Sequence, residues 1–99
     1  MHKIAYNTNG SAFGLSRAAI QWLGRHGIYN KYPDIENLDN LPRHEPLLIR
    51  CIEELGDDAA ECYAELAIAE IASDTYYIAA SEDGYETVIT PKDMITIDR

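Results

Sequence analysis

The stretch Pro42-Arg-His-Glu-Pro-Leu-Leu-Ile-Arg-Cys-Ile-Glu-Glu-Leu-Gly56 constrains this chain more than any other. Leu47, Leu48, Cys51, Ile52 and Leu55 recur at the spacing that lines one side of a helix. Arg50, Glu53 and Glu54 fall on the other side. Pro46 suits the first helical position, where a missing N–H costs nothing, and it pushes Glu45 out of helical geometry into the cap. Gly56 suits the left-handed residue that closes a helix. Face, start and stop all agree, so a helix is predicted from Pro46 to the residue before Gly56.

A chain of 99 residues is enough for one domain, 1–99, with a single hydrophobic core and no need of a metal or disulfides. A hydrophobic content of 46% supports a folded globule. The net charge of -9 is uneven: residues 1–50 carry six Lys/Arg against four Asp/Glu, and residues 51–99 carry two against thirteen. The second half would repel a phosphate backbone, which argues against a nucleic-acid binder. It can keep a small protein in solution or attract a basic partner. Cys51 and Cys62 form no CxxC pair, and Cys51 lies on the apolar stripe, where a thiol is a small hydrophobe. Met1-His-Lys-Ile-Ala-Tyr6 has no signal-peptide pattern, and no apolar run approaches a membrane span. A reducing cytoplasm is the expected setting, with no membrane contact and no cofactor.

Along the chain, His2 to Thr8 alternates like a short strand, and Asn7 to Gly14 breaks it. Ser16 is a candidate N-cap for a helix with Ala19, Ile20, Trp22, Leu23 and His26 on its apolar side, ending at Gly27. Residues 28–41 have no clear period and read as an irregular loop with room for one helical turn. Its aromatics, Tyr29 and Tyr32, either pin it to the body or stand exposed as contacts. Residues 64–71 are ambiguous: composition favours helix, alternation favours a half-buried strand. Thr75–Ala80 and Tyr85–Thr90 are β-rich runs around Ser81-Glu-Asp-Gly84. A two-residue Asp83-Gly84 turn would set Glu82 opposite Tyr85 and Ile78 opposite Ile89. Tyr76 and Tyr77 must face opposite ways, leaving one for a dimer interface. Met94 to Asp98 can form a last edge strand. The expected fold is α+β, in the order β-α-α-β-β-β, with two helices packed on a small, mostly antiparallel sheet. The first strand is expected at the sheet edge or beside the last strand.

Taken in series, Lys3-Ile-Ala-Tyr-Asn7, Phe13-Gly-Leu-Ser16, Pro42-Arg-His-Glu-Pro-Leu-Leu48, Glu53-Glu-Leu-Gly56 and the hairpin's Asp83-Gly-Tyr-Glu86 resemble a family of small bacteriophage and prophage proteins. Members tend to show a strand ending in Asn, a Gly-Gly-Phe-Ser/Gly-Leu-Ser loop, an Arg-x-Asp-Pro helix start and a Glu-Glu-Leu-Gly helix end. This chain has Ser11-Ala12 where the paired glycines usually stand, and Glu45 in place of the Asp. The family carries no established activity, so the resemblance implies an origin rather than a mechanism. It also implies a strand at 64–71, because related chains have β-branched residues there.

The residues admit four chemistries. Backbone N–H groups of the loop Gly10, Ser11 to Gly14, followed by the Ser16 helix start, could cradle an anion, with Arg17, Arg43 and His44 supplying charge. A plain capped turn explains the same residues. Ser16, Cys51 or Cys62 could act as nucleophile with His2, His26 or His44 as base, but no catalytic signature surrounds any of them. Asp57, Asp58, Glu61 and Glu65 could bind a hard cation, although the run lacks the spacing of a calcium loop. Finally, Glu53, Glu54, Asp57, Asp58, Glu61 and Glu65 could face a basic groove on a partner. The leading expectation is therefore a non-enzymatic phage or prophage accessory protein. It would bind and inhibit a host protein, such as a defence nuclease, through this acidic surface. The alternative is a small-ligand or nucleotide-sequestering protein built on the 10–16 loop with Arg17 and Arg43.

Overall fold

The computed structural model describes residues 2–10 and 12–91. In chain order they form β1 (His2–Asn7), α1 (Arg17–Arg25), α2 (Ile28–Lys31), a 3-10 turn at Leu38–Asn40, α3 (Pro46–Leu55), a second 3-10 turn at Gly56–Ala59, β2 (Leu66–Ile71), β3 (Tyr77–Ala80) and β4 (Glu86–Ile89). The α+β class and the β-α-α-β-β-β order hold, and the 28–41 segment carries two short helical turns, α2 and the 3-10 turn at Leu38–Asn40. The strands form two sheets rather than one: β1 pairs antiparallel with β2, and β3 with β4. The first strand's neighbour is thus β2. Among the described residues no helix is long and apolar enough to cross a membrane. The edge strand expected at Met94–Asp98 lies outside the described residues.

The chemistry that starts α3 is the one its sequence announces. The Glu45 carboxylate accepts from the Leu47 N–H at 2.5 Å, and Pro46 occupies the first turn. Gly56 ends the helix with φ 59° and ψ -130°, outside the expected left-handed helical well but still in territory open mainly to glycine. Ser16 caps α1 by accepting from the Ala19 N–H. That helix stops at Arg25, and Gly27 (φ 86°) turns the chain into α2. The apolar side of α1 is narrower than its sequence suggests, since Ile20 is exposed and His26 leaves the core to stack on Trp22 at 3.6 Å.

The core lies where α1 and α3 meet. Leu23, Ile28, Leu48 and Cys51 are fully buried there, and Leu38 and Leu41 join them from the 28–41 segment. Full burial of such a side chain stabilises by about 1.5–3 kcal/mol relative to exposure. The irregular segment is therefore pinned. Beyond its leucines, the Tyr32 hydroxyl donates to Glu45 Oε1 at 3.0 Å.

Residues 66–71 are extended although their composition favours helix. The register sets Ala5 opposite Ile68 and Asn7 opposite Leu66. That face of the sheet covers the helices, and Lys3 reaches across it to Glu53 on α3. Tertiary context overrides propensity here. The opposite face carries His2, Ile4, Ala69 and Ile71 and fronts the 73–76 connection and β4.

The β3–β4 register differs from the expected one by a single residue. Ile78 stands opposite Val88 and Tyr77 opposite Ile89. A two-residue type I′ turn needs positive φ at both central residues, and Asp83 does not adopt it: among the described residues only glycines do. The loop widens to Glu82–Gly84. Ser81 accepts from the Gly84 N–H at 3.1 Å, and its own N–H donates to Tyr85 O at 2.8 Å. A one-residue slip exchanges the two faces. Tyr77 is half exposed, while Tyr76 turns into a cleft with His44.

Candidate functional site

Three motifs distant in sequence meet at the end of β1. Asn7 is fully buried. Its Oδ1 accepts from the Glu65 N–H at 3.0 Å, and its Nδ2 donates to the carbonyls of Asn9 and Gly84, both at 3.0 Å. Its backbone N–H donates to Glu86 Oε1 at 2.8 Å. The same carboxylate takes the Arg43 guanidinium in a fork, Nη1 to Oε1 at 2.5 Å and Nη2 to Oε2 at 3.0 Å. Arg43 also lies over the Phe13 ring, 3.7 Å from its centroid. The planar guanidinium thus satisfies both its edge and its face within the protein. Neither charge of this largely buried pair is left over for a ligand.

Three backbone N–H groups of the 10–16 loop are committed in the same way. The Gly10 N–H donates to Asn9 Oδ1, the Leu15 N–H to Asp39 Oδ1 at 3.0 Å and the Ser16 N–H to Ala59 O at 2.9 Å. Ser16 Oγ donates to Asp58 O at 2.5 Å. The Glu61 side chain lies against Gly14, leaving no room there for a Cβ. An anion at Gly10, Leu15 or Ser16 would have to displace a protein acceptor, and at Gly14 it would sit beside the Glu61 carboxylate. Of the side chains expected to help it, Arg43 turns inward, Arg17 stands exposed at the start of α1, and His44 turns to Tyr76. Ser11 lies outside the described residues.

The acidic residues divide into two sets. Glu53 is paired with Lys3 at 2.5 Å, on the β1 side of α3. Glu54 accepts from the Trp22 indole N–H, on the α1 side. Asp57 and Asp58 on the second 3-10 turn, and Glu61 and Glu65 after it, are exposed. The backbone beneath them is braced: Leu15 and Ala60 form a bridge, the Glu61 N–H donates to Gly14 O at 3.0 Å, and the Ala64 N–H donates to Glu61 O at 2.9 Å. Cys62 and Tyr63 stand exposed in the same segment. Among the described residues no His, Cys, Asp and Glu side chains are grouped to hold a metal ion.

The candidate nucleophiles and bases are spread apart. Burial, with a smaller contribution from Glu54, pushes the Cys51 thiol up to about 11. His26 is stacked on Trp22, with Nδ1 2.7 Å from Trp22 O. His2 and His44 share a cleft of about 260 Å³ with Ile4, Asp74 and Tyr76. There His2 Nε2 lies 2.7 Å from Asp74 Oδ1, and His44 Nδ1 2.7 Å from the Tyr76 hydroxyl. Burial raises the Tyr76 phenol above its ordinary value, against Arg43 and the nearby backbone amides, so it stays protonated at neutral pH. Asp74, Tyr76, Glu86 and Asn7 carry no local sequence signal for these roles. Apart from Asn9 beside Asn7, their partners lie tens of residues away.

Comparison with models of protein families, with curated proteins and with solved structures finds no match to this chain.

Proposed function

We propose that the protein is a non-enzymatic accessory protein that binds, and thereby blocks, a partner with a basic surface. One observation carries this reading: Asp57, Asp58 and Glu61 are exposed on a backbone braced against the 14–16 segment, and Glu65 on one held by Asn7 and Thr8. Carboxylates on a fixed base keep their spacing before the partner arrives, so less ordering entropy is lost on contact. They also steer a basic partner from a distance, an effect that weakens with salt. The spent N–H groups of Gly10, Leu15 and Ser16 and the internal Arg43–Glu86 pair give further support, since none of them is left to hold a small anion. The resemblance to bacteriophage proteins supplies the kind of partner to test first, a host nuclease with a basic substrate groove.

The test is affinity capture from host cells at low and moderate salt. The wild-type chain is compared with an Asp57→Asn/Asp58→Asn/Glu61→Gln variant, whose side chains keep their volumes. Retention of a basic protein by the wild type, lost in the variant and weakened by salt, is the expected result. Equal retention by both proteins would sink the proposal.

A further inference from the structure

We infer that Tyr63 and Tyr85, on either side of the Asn9–Gly10 turn, form the contact point of this docking surface, and that it takes an arginine-bearing segment rather than a lysine-bearing one. The inference rests on the docking role just proposed and names the chemistry it recognises. Tyr63 is 73% exposed and Tyr85 50% exposed. Both residues meet the Asn9–Gly10 bend: Asn9 Nδ2 donates to the Tyr63 backbone carbonyl at 3.2 Å, and a Cβ on Gly10 would meet the Tyr85 ring at 3.3 Å. The backbone beneath them is cross-linked by hydrogen bonds. Asn7 holds the Asn9 carbonyl on one side and the Gly84 carbonyl, just before Tyr85, on the other. Glu86, just after Tyr85, is clamped by Arg43 and the Asn7 N–H. Two phenol rings on a fixed base lose little entropy on binding, which is why tyrosine serves so well in contact surfaces.

The surroundings select the occupant. Glu61 and Glu65 flank Tyr63 in sequence, and Glu82 and Asp83 lead into Gly84 and Tyr85; all four are exposed. A guanidinium can lay its face on a phenol ring and offer its edge to a carboxylate at once. An ammonium is compact and strongly hydrated, and gains less from the ring. Within the molecule, Arg43 between Phe13 and Glu86 satisfies a guanidinium in the same two ways.

Cys62 allows a direct test. It is exposed next to Tyr63, whereas Cys51 is buried, so a thiol-reactive, environment-sensitive fluorophore reports from this surface. The labelled protein is titrated with nona-arginine and with nona-lysine at two salt concentrations, and anisotropy of labelled peptides on unlabelled protein serves as a cross-check. The arginine peptide is expected to bind about fivefold tighter or more. Tyr63→Ala should bring that ratio close to one while leaving the salt dependence unchanged, and Tyr63→Phe should restore it. Tyr85→Leu, with folding checked by circular dichroism, tests the second ring. Equal binding of the two peptides, unaffected by Tyr63→Ala, would overturn the tyrosine contact and leave the acidic docking role standing. Binding of neither peptide at low salt would overturn both.

Discussion

The helical half and the β3–β4 half of this molecule are held by different forces. Around α1 and α3, Leu23, Ile28, Leu48 and Cys51 are fully buried, and stability comes from apolar area removed from water. In β3 and β4 no residue is fully buried, and a two-stranded hairpin is marginal by itself. It is tied to the body largely by directional polar contacts: Arg43 to Glu86, Asn7 to Gly84, and His44 to Tyr76 just before β3. Apolar packing tolerates small shifts, whereas a forked guanidinium pair does not. The weakly packed half is thereby positioned tightly at the few points where it meets the loop carrying Asn9 and Gly10.

Substitutions at three positions break or sharpen this contrast. Leu48→Ala has the largest expected effect, about 3 kcal/mol from lost transfer energy and the cavity left behind. It should lower the urea midpoint for both halves together, because the hairpin has no core of its own. Glu45→Ala should cost about 2 kcal/mol, through the lost cap and the unpaired Tyr32 hydroxyl.

Glu45 also sets an acid limb. Burial by itself would raise this carboxyl, but Lys31 at 2.6 Å, the Leu47 N–H and the Tyr32 O–H outweigh it and hold it below the ordinary value. A lowered folded-state value means the stabilisation is complete above the ordinary carboxylate range. It is lost as pH falls through the lowered value. Unfolding measured against pH should show that limb in the wild type and a flatter one in Glu45→Gln. The smallest effect is expected for Glu86→Gln, about 1.5 kcal/mol from weakening a charge-assisted fork. It should appear as faster hydrogen exchange at Ser81 and Gly84 with α3 amides unchanged. Equal acceleration in α3 would erase the distinction between the halves.

Much of the helical half was legible in the sequence, because its signals are local. Glu45 and Pro46 mark the start of α3 and Gly56 its end, each through the adjoining turn, and Ser16 caps α1 through a bond to Ala19. The candidate site was legible only in pieces. Arg43 reads as a free cation in a linear chain, and nothing within several positions of it announces Glu86, 43 residues on. Glu53 and Glu54 read as one solvated face with Asp57 and Asp58, yet adjacent positions on a helix point about 100° apart. One meets Lys3 and the other Trp22.

By itself, then, the sequence determined the two main helices, their caps, the presence of a hairpin and the concentration of negative charge after residue 50. These depend on backbone propensity and composition, which act over one or two turns of chain. Only the tertiary structure decided that 66–71 is extended, that the hairpin loop spans three residues rather than two, and that Arg43 is spent internally. The physical reason is common to all three. A segment with nearly balanced local preferences takes the state that satisfies its neighbours' hydrogen bonds and covers their apolar faces, and those neighbours are assembled only by the fold.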